Sequence, residues 1–336
     1  MTRIVSYNIL AGGYSLRNNG TRRTNQLVHI IRSAQPDIVG VAEAINGRVK
    51  ERPEVIAEIA EILGMQLVRG SDPASTRDFQ TALLTRLPIV YTKTHVRPGI
   101  LARPLLEVCV EEESGQQLTV FVVHLSAAFN RGRGGGGVRL REIREILNIM
   151  APLREEGKPH LIMGDFNSMA PGEPFKASAL LKYIVQLDTR RRSSPNQPEG
   201  HPHLNSVVPR KLRFLKPVLR AVAESSFLSM LFDAAAYFYA PRGCIRLLKE
   251  HYVDSFRHMH AQENGFTCPA SAPAGRIDYI FSSSVLAERL DDCYVIVEGE
   301  GLPGSDASDH LAIAAAFAPV APLAPPATEL DDAVTH

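Results

Sequence analysis

Apolar positions along this chain recur with two periods. Short β-branched and aromatic runs predict strands: "IVSYNIL" from Ile4, "PDIVGVAEA" from Pro36, and two within "TALLTRLPIVYTKTHV", broken near Pro88. "LLEVCVEEESGQQLTVFVVHLSA" from Leu105 reads as a hairpin, two apolar runs around a polar turn containing Gly115. Further strands are expected at "HLIMGDFNS", "RIDYIFSSS", "DCYVIVEG" and "HLAIAAAF". Helical spacing governs 24–34, through Leu27, Ile30 and Ile31, and 52–64, with Pro53 near its start and Gly64 at its end. It returns at 140–157, which ends at Gly157.

Many short strands with helices between only some of them predict a mixed-sheet α/β (α+β) domain rather than a doubly wound sheet. Residues 188–262 stand apart as an insertion, basic at first ("TRRRSS", "PRKLRFLKPVLR") and then apolar and helical. Residues 1–318 are expected to form a single domain around it. Residues 319–336, rich in Ala and Pro, are expected to be a disordered tail.

Composition narrows the classes. With 45% hydrophobic and 22% charged residues the chain has a globular profile, and 336 residues suffice for a large core. A formal charge of +1 argues against holding nucleic acid by bulk charge, though not against a local basic groove. The cysteines Cys109, Cys244, Cys268 and Cys293 form no CxxC pair, which speaks against zinc and a disulfide framework and for a reducing compartment. With no leader-like or membrane-span-length apolar segment, a cytoplasmic location is expected.

The chemistry gathers where apolar runs stop. Asn8, Glu43, His124, Asp165 with Asn167, Asp278, and Asp309 with His310 all stand at such boundaries. Each alone has an ordinary structural reading: a turn for Asn8, Asp165 and Asn167, an exposed strand end for Glu43, a bonded core imidazole for His124. For Asp278 it is an ion pair with Arg276, and for Asp309–His310 a loop. Together they are harder to dismiss, because a buried strand accommodates charge only when it is paired, metal-bound or catalytic. Hard oxygen ligands suit magnesium, and amides with imidazoles suit phosphoryl oxygens.

In order, "SYNIL", "AEA", "VVHLSA", "GDFNS", "RIDYIF" and "SDHLAI" resemble the endonuclease/exonuclease/phosphatase superfamily, over residues 2 to about 175 and 264–318. That superfamily includes deoxyribonuclease-I-like nucleases, abasic-site endonucleases, inositol-polyphosphate 5-phosphatases, sphingomyelinases and deadenylases. The resemblance implies a four-layer αββα sandwich of two mostly antiparallel sheets, and divalent-metal-dependent phosphoester hydrolysis by in-line attack of an activated water. It implies Mg2+, with Mn2+ as substitute, held by Glu43 with Asn8 and Asp309 close by. Asp165 is then the residue that orients or deprotonates water, and Asn167 a phosphate-binding amide that fixes it. His310 would contact the phosphoryl oxygens, oriented by Asp278, and His124 would donate to one of them. Which of Asp165 and His310 is the base stays open. Asn8, Asn167 and His124 form the phosphate-binding set. Leu10 stands where abasic-site endonucleases carry an acid, which argues against that branch; Asp78 is the nearest candidate partner for His124.

A phosphodiesterase or nuclease is the first expectation. A phosphatase or lipid phosphohydrolase (sphingomyelinase-like or inositol-phosphate) is the alternative, and an inactive binding member the third. "NRGRGGGGVRLR" at 130–141 reads either as a linker or as a mobile basic loop around phosphate. The insertion suggests a nucleic-acid groove or peripheral membrane contact through 210–240. The expected partner is a phosphoester substrate, nucleic acid or smaller, and no obligate protein partner is evident.

Overall fold

The computed structural model describes residues 1–15, 20–45, 52–71, 79–127, 132–190 and 216–319. Asp78 and the Ala/Pro-rich tail from Val320 onward lie outside the described residues.

Two six-stranded sheets form the centre. The first contains β1 (Thr2–Asn8), β2 (Ile38–Ile45), β3 (Gln66–Arg69), β4 (Gln80–Thr85), β11 (Leu290–Ile296) and β14 (Ala312–Phe317), in the order β11-β14-β1-β2-β4-β3. The second contains β5 (Ile89–His95), β6 (Leu105–Glu111), β7 (Gln117–His124), β8 (His160–Asp165), β9 (Val253–Asp254) and β10 (Asp278–Ser282), in the order β5-β6-β7-β8-β10-β9. A two-stranded ribbon, β12 (Glu298–Gly299) with β13 (Leu302–Pro303), lies between β11 and β14 in sequence.

Strand alternation sorts side chains to opposite faces. Ile4 of β1 joins Leu83, Val108, Val120, Met163 and Phe317 in the layer between the sheets. Its neighbours Val5 and Tyr7 instead meet Leu27 and Ile31 of α1 (Thr24–Ser33) and Ile56 and Ile59 of α2 (Val55–Leu63). On the far side Phe121, Ile162 and Phe281 pack against Ile143 and Ile146 of α3 (Gly132–Glu155). These three apolar layers make the four-layer αββα sandwich. Gly64 ends α2 in the left-handed conformation, with its N–H returning to Ala60 and Glu61.

Each sheet has one parallel pair at its centre, β1 with β2 and β7 with β8. Parallel neighbours end on the same side, and the Asn8–Asp165 hydrogen bond between the two sheets brings the ends of all four strands to one edge. The register there places His124 beside Asp165, and Asp165 beside Asp278.

Two local readings change. The helix expected from Leu140 begins at Gly132, so 132–141 is helix and neither linker nor loop. Tertiary bonds overcome the poor helix propensity of glycine there: buried Arg139 donates to the Ser126 carbonyl (2.6 Å) and the Ser168 hydroxyl (2.8 Å), and Glu142 accepts from the Ser126 and Ala102 N–H groups. Arg276 is paired with Glu173 and Asp254, not with Asp278. Helices α4 (Ala177–Arg190), α5 (Lys216–Glu224), α6 (Ser226–Tyr239) and α7 (Gly243–Lys249) follow β8, whereas Val253–Asp254 already pairs with β10. Short helices α8 (Ser255–Met259), α9 (Ser284–Ala287) and α10 (Gly304–Ala307) complete the chain.

Candidate active site

Asp165 is the hub at the gathered strand ends. It is 2% exposed, and its Oδ1 accepts the Asn167 N–H at 2.8 Å. Its Oδ2 accepts from Asn8 Nδ2 at 3.1 Å and lies 3.5 Å from His124 Nε2 and 3.9 Å from His310 Nε2. The other nitrogen of His310, Nδ1, lies 2.8 Å from Asp278 Oδ2. Glu43 Oε2 accepts the Ala11 N–H at 2.8 Å, and its Oε1 is 4.0 Å from His124 Nε2. Asp309 Oδ1 is 4.0 Å from His310 Nε2. All eight residues singled out in the sequence therefore stand in one neighbourhood.

Local backbone strain helps to hold them. Among the described residues, five of the seven non-glycine residues with positive φ border this edge: Leu10, Ala11, Glu43, Phe79 and Asn167. Glu43 sits in a bulge where the β2–β4 register slips between Val41 and Ile45, which frees its side chain from the regular alternation. Asn167, at φ 49°, makes the turn after β8. Gly164 does something else. It lies inside β8 at φ 140°, and a Cβ there would fall 1.9 Å from the Val123 carbonyl oxygen. Its role is close strand approach beside the His124–Asp165 pair, rather than the sharp turn itself.

Several supports left little sequence signal. Arg23 is 2% exposed and donates to the carbonyls of Ile9 (2.8 Å), Leu10 (2.6 Å) and Ala307, joining the loop after Asn8 to the one before Asp309. Ser308 donates to the Asn8 carbonyl at 2.7 Å and accepts the His310 N–H at 3.3 Å. Arg103 donates to the carbonyls of His124 (3.3 Å) and Leu125 (3.1 Å). "SDH" offers the only local hint, since a serine two residues before a histidine is a common turn former. The two amides are already engaged: Asn167 Nδ2 donates to the Leu125 carbonyl (3.0 Å), and Asn8 Oδ1 accepts the Leu10 N–H (3.0 Å).

The electrostatics separate the titrating groups. Burial pushes the Asp165 carboxyl up to about 7; the charge on His310 opposes this, and Asp278 and Glu43 reinforce it. Burial opposes charge on His310, yet the adjacent Asp278, with Cys268 and Asp309, outweighs it and holds the imidazole well above its usual range. His124 goes the other way, kept neutral by burial and by the charges of Arg103 and His310. Burial also raises Asp309, with Glu43 adding to it.

Asp165, Asp278 and His310 can bring ligand atoms within 4.8 Å of one another. That trio is better suited to proton relay than to a cation, because His310 is bonded to Asp278 and carries positive charge. The Glu43–Asp309 side fits a cation. Asp309 Oδ1 is buried with no hydrogen-bond donor among the described residues; His310 Nε2, at 4.0 Å, is too far to donate, which leaves the oxygen able to meet a cation. Two carboxylates with an amide oxygen nearby are the hard donors that magnesium takes.

A family model described as "Endonuclease/Exonuclease/phosphatase family" matches residues 5–310. No curated protein matches the chain. Among solved structures it is similar to an endonuclease/exonuclease/phosphatase family protein from Leptotrichia buccalis C-1013-b, at 17% identity and TM-score 0.55, covering 94% of this chain and 99% of that one. It is also similar to an AP endonuclease from Archaeoglobus fulgidus, at 15% identity and TM-score 0.54, with 94% and 99% covered. A third is the 3′ phosphatase NExo from Neisseria bound to product DNA hairpin, at 17% identity and TM-score 0.53, again with 94% and 99% covered. At these identities the structural likeness bears on the fold.

Proposed function

The chain belongs to the endonuclease/exonuclease/phosphatase family, and on that premise we propose that it is a divalent-metal-dependent phosphoester hydrolase, most readily a phosphodiesterase of the nuclease type. The observation that carries this reading is the convergence of Asn8, His124 and His310 on one buried carboxylate, Asp165, beside an Asp309 oxygen that has no hydrogen-bond donor among the described residues.

Each residue's part follows from its environment. Asp165, with a carboxyl raised toward neutrality, is suited to accept a proton from an attacking water. The Asn167 N–H and Asn8 amide fix its two oxygens, so that it need not reorganise during the reaction. His310, held charged by Asp278, donates from Nε2 to a phosphoryl oxygen as negative charge builds. Neutral His124 supplies a second donor on the other side of Asp165. Because His310 is held protonated, Asp165 is the better-placed base. Glu43 and Asp309, with Asn8, would hold Mg2+ or Mn2+, which when bound polarises the phosphoryl group and steadies the leaving oxygen.

The names of two neighbours, an AP endonuclease and a 3′ phosphatase with product DNA, favour a nucleic-acid ester as the first substrate class to try. A lipid-borne phosphoester is the second, favoured by the exposed apolar helix α6. The test is a substrate panel of single- and double-stranded DNA, RNA, sphingomyelin, inositol phosphates and aryl phosphates, with Mg2+ and with chelator. Cleavage with Mg2+ that falls in Glu43→Gln, alongside weaker metal binding by calorimetry, supports the reading. Turnover that ignores both chelator and Glu43→Gln overturns it.

A further inference from the structure

Helix α6 turns the usual pattern of a surface helix inside out. Phe227, Leu231, Ala234 and Phe238 follow one another at spacings of four, three and four residues, so they share a face, and all four are exposed. Phe238 is 75% exposed, Phe227 64% and Leu231 49%, with Met230 at 58% on the flank of the same face. Two of its polar residues, Ser229 and Asp233, bond inward. Asp233, its only charge, accepts from the Ser178 N–H and hydroxyl of α4, each at 2.7 Å, and Ser229 donates to the Val222 carbonyl of α5. No residue of α6 is buried, although Phe232 rests on the small apolar cluster of Leu181, Ile184 and Val222. Seven of the seventeen exposed large hydrophobics among the described residues fall between Val218 and Tyr239, a concentration rather than the usual scatter.

Charge completes the picture. Between residues 176 and 249 the sequence has thirteen Lys and Arg against four Asp and Glu, while the whole chain is only +1. The rest of the chain is therefore acidic. Exposed Arg220 on α5 precedes α6 in sequence and exposed Arg246 on α7 follows it, Arg246 lining one groove with Phe238. We propose that α6 lies on an anionic lipid surface, with its Phe227–Phe238 face in the acyl boundary and Arg220 and Arg246 among the headgroups. A second copy of this chain would bring the same positive surplus to the contact, whereas an anionic membrane is complementary to it.

This docking goes beyond the hydrolytic reading and does not depend on which ester is cleaved. The fold nevertheless joins the two. At the end of α6, the Pro241 carbonyl accepts the Met169 N–H at 3.2 Å and Arg242 donates to the Ala170 carbonyl, so the helix is tied to the loop just after Asn167.

The experiment is flotation of the full chain with phosphatidylcholine vesicles and with phosphatidylcholine–phosphatidylserine vesicles. The wild type is compared with Phe227→Ser/Phe238→Ser and with Arg220→Glu/Arg246→Glu, with hydrolysis of a soluble aryl phosphodiester as the check that the site is intact. The expected result is salt-sensitive partitioning onto the anionic vesicles, lowered on the order of tenfold or more in each double variant, with soluble hydrolysis unchanged. Three results would overturn the proposal: no partitioning of the wild type, partitioning that both variants retain, or a concentration-dependent dimer that Phe227→Ser/Phe238→Ser abolishes while vesicles do not bind. Loss of hydrolysis in all forms, with vesicle binding kept, would count against the catalytic reading alone.

Discussion

Gly164→Ala puts a single methyl group where the two halves of the candidate site meet. The added Cβ would stand 1.9 Å from the Val123 carbonyl oxygen, a backbone atom fixed in the β7–β8 ladder. Carbon–oxygen contacts normally begin at about 3.3 Å, so the strands must part by roughly 1.4 Å or the chain must twist. The φ of 140° adds strain, because L side chains rarely adopt it. Strain of about 1–3 kcal/mol and overpacking of about 1–3 kcal/mol together give a loss of roughly 2–6 kcal/mol. Separation at this register also moves His124 away from Asp165, and displacement of about 1 Å can cost on the order of a hundredfold in rate. Urea denaturation and hydrolysis of an aryl phosphodiester read the two effects separately. Gly157→Ala is the control: its φ is 64° but nothing lies within 4 Å of the added atom, so it should show strain alone and keep full activity. Denaturation of Gly164→Ala within about 0.5 kcal/mol of wild type, the range of a neutral surface change, with kcat unaltered, would mean that the close approach of Val123 carries no cost.

Other expectations test the electrostatics. Because burial raises both Asp165 and Asp309, protons and metal compete for this edge, so Mg2+ should raise the urea midpoint more at pH 8 than at pH 5; equal shifts would contradict the assignment. In the metal-free protein the raised Asp165 carboxyl makes folding progressively less favourable as pH rises from its unfolded value near 3.8 through about 7, a contribution on the order of 4 kcal/mol. Asp278→Asn removes what holds His310 charged, so the alkaline limb of kcat should move to lower pH and kcat fall by about a hundredfold or more; an unmoved limb would mean that His310 does not act as a charged donor. Arg276→Met strands the carboxylates of Glu173 and Asp254 in the interior, which should cost about 3–5 kcal/mol, measured by thermal denaturation. A variant as stable as wild type would mean that the buried network is dispensable.

Most of the longer strands were legible because each alternates or ends in a polar residue, and the eight site residues because a polar group at the end of an apolar run is conspicuous. Positions such as buried Arg23 and half-buried Arg103 were not, since an arginine bonded to backbone carbonyls looks in sequence like any surface arginine; what sets it apart is tertiary. The glycine run before Leu140 misled for the same reason, its helix being held by Arg139 and Glu142 against local propensity. Short β3 has only half-buried or exposed residues and so offers no strong pattern. The need for glycine at 164 was not legible, because the approach of Val123 arises only once β7 and β8 pair.

The most direct test of the central claim is hydrolysis of a soluble aryl phosphodiester by wild type, Asp165→Asn and His310→Ala, with Mg2+ and with chelator, on proteins shown to be folded by circular dichroism. Cleavage by wild type that requires the metal and falls on the order of a hundredfold or more in each variant is the result predicted. Cleavage that persists in folded Asp165→Asn and His310→Ala would contradict it.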